Sequence, residues 1–237
     1  MPSGPPPRVT EEGLSDLLLV ALAFGAGAVD AISYLGLGRV FTANMTGNIV
    51  LLGVEIGRAS GATVLRSAIS LVAFIAGVLA ATLIAGQPER NRLWPGGVKL
   101  TLAFEAATQA ALLIGWLASS AHPATTLEAI LVGASALAMG LQSGAVRALG
   151  VAGISTTYVT GTLTGLIGGV ATGKGSRRDW ARRGSVVAAV LVGAACAAVL
   201  VFDARRAAPA LPLAVTVLVL GAAAYVLPRA AAGAPAQ

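Results

Sequence analysis

Charge is scarce in this sequence. Asp, Glu, Lys and Arg together make up 11% of its 237 residues. A soluble domain carries about 25%, so this chain has too little charge to cover a water-facing surface. Cysteine and histidine are each present once, as Cys196 and His122. That excludes an internal disulfide and an ordinary His/Cys metal cluster, and no metal or cofactor is expected. No P-loop, HExxH, GxSxG or dinucleotide fingerprint occurs in the chain. The net charge of +6 would suggest nucleic acid in a soluble protein. Here it fits the cytoplasmic loops of a membrane protein, and no nucleic-acid partner is expected.

Long apolar runs are abundant, with 56% of the residues hydrophobic. A spanning helix needs about 20 such residues. Six stretches meet that need: 17–37, 67–86, 98–118, 129–149, 185–202 and 210–227. The expected fold is therefore an all-α bundle embedded in a lipid bilayer. Residues 1–13, with Pro5, Pro6 and Pro7, read as a disordered tail, as do residues 229–237. Acidic Glu11, Glu12 and Asp16 give the N-terminus the wrong charge for a cleaved signal. Trp94, Trp116 and Trp180 fall near helix ends, where interfacial anchors sit.

Two further stretches are apolar but short or polar: 40–54 and 155–173. They are copies of one another. Thr46-Gly47 laid over Thr160-Gly161 sets TANMTGNIVLLG on TTYVTGTLTGLI and Leu35-Gly36 on Leu149-Gly150. The order of elements matches too, which divides the chain into repeat 14–120 and repeat 126–228. If all eight stretches crossed, Lys and Arg would divide 9 to 7 between the two sides. If the two short ones dip in and return, the division becomes 11 to 5, with both termini on the rich side. The positive-inside rule favours six spans, two returning short helices and cytoplasmic termini. Three spans per repeat is odd, so the second copy is inverted and the two polar stretches meet near the midplane.

Polar groups inside an apolar run are the candidates for function. Asp30 lies in the first span and Arg147 in the matching helix of the second repeat. They are expected to form an intramembrane charge pair, either a gate or a packing contact. Asn44, Thr46, Gly47 and Asn48 in the first copy are the candidate solute site, with Thr156, Thr157, Thr160, Gly161 and Thr162 in the second. A helix that begins at mid-membrane presents unpaired N–H groups and partial positive charge to a polar or anionic solute. Glu105, Gln109 and Gln142 are expected to add polar lining or plain interhelical hydrogen bonds. Glycines spaced by four (Gly53, Gly57, Gly61; Gly161, Gly165, Gly169, Gly173; Gly140, Gly144) suit close helix contact and a homo-oligomer.

GAVDAISYLGLGRVFTANMTGNIVLLG and, one repeat later, GLQSGAVRALGVAGISTTYVTGTLTGL resemble the YoaK-like family of bacterial membrane proteins. The resemblance runs from about residue 17 to 227. It is carried by Asp30, Tyr34, Gly36, Asn44, Met45, Thr46, Gly47 and Asn48 in the first copy. In the second it is carried by Gln142, Arg147, Gly150, Thr156, Thr157, Thr160, Gly161 and Thr162. It implies a multi-pass, six-span protein of a bacterial cytoplasmic membrane and supplies no substrate. The reading that follows is a transporter or channel for a small polar or anionic solute. Two alternatives stay open: a scaffold or sensor without transport, and an intramembrane enzyme acting on lipid through Asp30 or Glu105.

Overall fold

The computed structural model describes residues 11–58, 61–86, 94–150 and 159–225. These form eight α-helices: α1 (Glu11–Gly36), α2 (Met45–Gly57), α3 (Gly61–Ala85), α4 (Gly96–Ala118), α5 (Thr125–Ala148), α6 (Val159–Thr172), α7 (Arg177–Asp203) and α8 (Ala210–Tyr225). A single 3-10 turn, Arg205–Ala207, precedes α8. Six of the helices are long and apolar enough to cross a membrane, while α2 and α6 are the shorter apolar pair. Their outward side chains are large and apolar, among them Leu83, Ile114, Leu191, Phe202 and Leu218. Such a surface suits hydrocarbon and not water.

Several helices open earlier than the hydropathy reading, among them α3 at Gly61 and α5 at Thr125. α1 opens at Glu11, inside the stretch expected to be a tail. α7 opens at Arg177 instead of 185. Ser176 Oγ accepts from the Asp179 N–H at 3.1 Å, and the Asp179 carboxylate accepts from the Ser176 N–H at 3.1 Å. This capping box draws the arginine-rich segment into the helix. The rest of the expected tails, 1–10 and 229–237, and residues 226–228 of the second expected repeat lie outside the described residues.

Two helix pairs pack most extensively, α1 with α7 and α3 with α5. α4 packs on α5 and α8, α8 also packs on α1, α2 lies on α3, and α6 lies on α7. Exchanging α1–α4 in order with α5–α8 maps these packings onto one another. Both pairs cross at glycines. A Cβ at Gly27 would meet the Val190 carbonyl, and one at Gly193 the Phe24 carbonyl. A Cβ at Gly140 would meet the Phe74 carbonyl, and one at Gly77 the Leu137 carbonyl. In all four cases the carbonyl lies three residues before the partner glycine. No side chain fits between backbones this close, so the helices gain van der Waals contact that lipid cannot supply.

Ion pairs tie the ends of the same two pairs. Arg66 Nε meets Glu128 at 2.8 Å between α3 and α5. Arg178 and Arg182 meet Asp16 at 2.9 and 3.4 Å between α1 and α7. Arg66 and Arg182 each lie 11 residues before the crossing glycine of their helix (66 to 77, 182 to 193). Apolar clusters close the bundle at both ends. Leu19 and Leu22 of α1 pack with Ala145 and Val146 of α5, while Leu37 beyond α1 packs with Leu131 near the start of α5. α1 and α5 are therefore antiparallel. Trp94 and Trp116 are core residues and not interfacial anchors. The Trp116 indole N–H donates to the Arg205 carbonyl at 2.9 Å, and the Trp94 N–H to Ser15 Oγ at 3.1 Å.

Candidate functional site

The site begins where α1 ends. Gly38 (φ 80°) and Arg39 (φ 60°) take left-handed backbone and turn the chain back along α1. A Cβ at Gly38 would meet the Arg66 side chain near the start of α3. The chain thus enters and leaves the α2 excursion at one end of the bundle. Between those points it dips to the level of Asp30. There Asp30 Oδ1 accepts three backbone N–H bonds, from Thr42 (2.9 Å), Ala43 (2.7 Å) and Asn44 (3.3 Å). These are amides just ahead of α2, where a helix start leaves N–H groups without partners. Asn44 caps α2 itself, its Oδ1 accepting from the Gly47 N–H at 3.2 Å.

The bend is fixed from behind by a buried polar cluster. Asn48 accepts from the Phe41 N–H at 2.9 Å and donates to the Phe41 carbonyl and to Ser70 Oγ. Ser70 Oγ donates to the same carbonyl at 2.8 Å. Thr42 Oγ1 and Ser135 Oγ share a hydrogen bond of 2.8 Å, and Tyr34 stacks on Phe41 with ring centroids 5.3 Å apart. Irregular backbone at this depth is tolerable when protein satisfies it in this way.

In front of the bend lies a cavity of about 600 Å³. It sits at the α1–α7 crossing, with Ala26, Gly27 and Val190 in its wall. Asp30, Asn44, Thr46 and Gly47 line it from the first half of the chain, and Val159 and Thr160 from the start of α6. Residues of both Thr-Gly segments thus face one space. Asp30 is partly exposed, and its Oδ2 makes no hydrogen bond among the described residues.

The other predicted residues are placed elsewhere. Asn48 is buried behind the bend and belongs to the support. Thr162 is buried, Gly161 partly so, and neither lines the cavity. Thr156 and Thr157 lie outside the described residues. The expected pair of Asp30 and Arg147 does not form. Arg147 is exposed in the last turn of α5, and the antiparallel run of α1 and α5 puts their last turns at opposite ends of the bundle. Three amides take the place of the arginine at Asp30.

Glu105, Gln109 and Gln142 do not line this cavity. Glu105 and Gln109 are buried between α4 and α8. Gln109 Nε2 donates to Glu105 Oε1 at 2.8 Å, and Thr216 Oγ1 donates to the same oxygen at 3.0 Å. Gln142 Nε2 donates to the Leu22 carbonyl at 3.2 Å, which joins α5 to α1. Ser70, Ser135 and Thr216 complete these networks, yet each is a small hydroxyl in an apolar helix and carried no signal in sequence. Gly140 and Gly144 do face α3, but nothing lies within 4 Å of a Cβ built on Gly53 or Gly57. Among the described residues no three His, Cys, Asp or Glu side chains gather as metal ligands.

Comparison with known proteins places the chain. The family model described as "Protein of unknown function (DUF1275)" matches residues 18–224. The UPF0700 transmembrane protein YoaK of Bacillus subtilis (strain 168) is 45% identical over 159 residues, which is 67% of this chain and 68% of that protein. No solved structure matches. The chain belongs to the DUF1275 family.

Proposed function

We propose that this DUF1275 protein is a transporter for a small polar solute, which binds in the cavity between the starts of α2 and α6. The cavity itself carries this reading. It lies midway along α1 and α7, and residues from both short helices reach it. Asp30, Asn44, Thr46 and Thr160 all line a space of about 600 Å³, within the range of small-molecule sites. Polar groups this deep are expensive beside lipid, and plain packing has no use for the empty volume.

Two inverted repeats that meet at a midplane site suit alternating access, in which one half rocks against the other. Three features support that reading: antiparallel α1 and α5, a packing pattern that survives exchange of the halves, and two matching glycine crossings. Thr46 and Thr160 then act as equivalent hydroxyls offered from the two halves. The 11 to 5 division of Lys and Arg supports cytoplasmic termini in a bacterial inner membrane. The enzyme alternative loses ground, because Asp30 is the sole titratable side chain among the described cavity residues. Hydrolysis would need a second positioned group.

The test uses cysteine accessibility. Cys196→Ala removes the native thiol, and Thr46→Cys and Thr160→Cys are then probed in membranes with a small charged thiol reagent. Both positions should react from water, and a reagent added to either face should reach at least one of them. If neither reacts while Arg58→Cys does, the site is sealed and the transporter reading fails.

A further inference from the structure

We propose that the solute is a small organic cation, an ammonium group on a short apolar body, with its charge held by Oδ2 of Asp30. This rests on the transporter reading and specifies the chemistry of that same cavity.

The start of a helix inside a membrane ordinarily recruits an anion. Here the protein supplies its own. Asp30 Oδ1 takes the amides of Thr42, Ala43 and Asn44, so an outside anion meets no open donor cluster there. It meets a carboxylate at contact distance instead. Oδ2, which makes no hydrogen bond among the described residues, is the free acceptor of a side chain that lines this cavity. Asp30 is also the one charged side chain among the described residues of the wall. The nearby Arg183 guanidinium lies against Gly165 on α6 and is not part of that wall. Arg147 is at the far end of α5. With no basic side chain among the described wall residues, the Asp30 carboxylate makes the cavity draw positive charge.

The remaining wall says what the cation looks like. Ala26, Val50, Leu51 and Val190 are apolar, and Phe41 adds an aromatic ring that favours a nearby cation. The hydroxyls of Thr46 and Thr160 can accept N–H bonds from an ammonium. A bare metal ion fits poorly. The space is far larger than an ion, and one carboxylate with two hydroxyls is a sparse ligand set.

The experiment compares three probes of equal size on the purified full chain in detergent: butylammonium chloride, sodium butyrate and butanamide, with sodium chloride as the ionic control. Binding is read as a saturable rise in unfolding temperature and titrated for affinity. Butylammonium should bind and the other two should not. Asp30→Asn should weaken butylammonium by about thirtyfold or more, the loss expected when one partner of a desolvated charge pair is removed. The amide oxygen of the new side chain can still accept the three N–H bonds, so the unliganded variant should unfold near the wild-type temperature. Thr160→Val should weaken binding several-fold and leave the same temperature unchanged.

Butyrate or butanamide binding as tightly as butylammonium would overturn the cation class and leave the transporter reading standing. Full butylammonium affinity in Asp30→Asn, or an equal effect of sodium chloride, would overturn it as well. Silence from all three probes, together with unreactive Thr46→Cys and Thr160→Cys, would overturn both readings.

Discussion

At Asn48 one side chain closes three gaps in the backbone and side chains of the bend. It accepts from the Phe41 N–H, donates to the Phe41 carbonyl, and holds Ser70 on α3. Asn48→Ala would leave the part-buried Phe41 N–H without its partner, at about 1–3 kcal/mol. The variant should melt earlier in detergent than wild type, and Ser70→Ala should show a smaller loss because Asn48 still holds Phe41. Equal melting of Asn48→Ala and wild type would show that the bend does not depend on this network. The contrast with Asp30 and Asn44 marks the limit of sequence at this scale. All three are polar residues in or beside one apolar motif, and residue type alone placed all three near a site. What separated them was direction: Asn48 points back to α3, while Asp30 and Asn44 reach the cavity. Direction depends on the left-handed turn at Gly38 and Arg39, and the sequence showed that turn only as another glycine.

Helices were far easier to read than their contacts. Six long apolar runs gave six long helices, because length and hydropathy are local properties that a bilayer fixes directly. The crossings are not local. Gly27, Gly77 and Gly193 form no spaced ridge of the kind singled out in sequence, yet each touches a partner backbone. Gly53 and Gly57 do form such a ridge, yet they face open space. A pattern of small residues therefore marks a face that permits contact, and only the partner helix decides whether contact occurs. Substitution separates the two cases. Gly27→Ala puts a methyl against the Val190 backbone, with the carbonyl carbon at 2.8 Å, and relief requires α1 and α7 to part. Thermal unfolding in detergent should drop for Gly27→Ala by an amount equal to about 1–3 kcal/mol, the usual range for overpacking. Gly57→Ala, at a helix end with nothing near it, should be neutral or stabilising by up to about 1 kcal/mol. A neutral Gly27→Ala would mean that the two helices are not held at backbone contact.

For the whole molecule, the duplicated Thr-Gly motif led to inversion, and inversion in turn forbids the charge pair that the motif's neighbours suggested. Asp30 and Arg147 occupy nearby positions in their repeats. Two inverted repeats put equivalent last turns at opposite ends, so such residues are separated by much of the bundle unless they lie near the middle. The Thr-Gly segments do lie near the middle, and residues of both face the one cavity. Depth within the repeat therefore decides which equivalent residues meet, and sequence alignment alone does not report depth. The same logic fixes a topology test. Arg58 closes the α2 excursion, and Lys174 follows α6. With two inverted halves and no crossing by either short helix, these two positions stand on opposite faces of the membrane. In a Cys196→Ala background, Arg58→Cys should label with an impermeant maleimide in intact cells, because the side richer in Lys and Arg faces the cytoplasm. Lys174→Cys should label only after permeabilisation. Labelling of both from one side would mean that α6 crosses, and the halves would no longer be inverted copies. Labelling of Lys174→Cys alone in intact cells would mean either that the inverted fold is reversed in the membrane or that α2 alone crosses, and in both cases the arginine-rich start of α7 would have defied the charge rule.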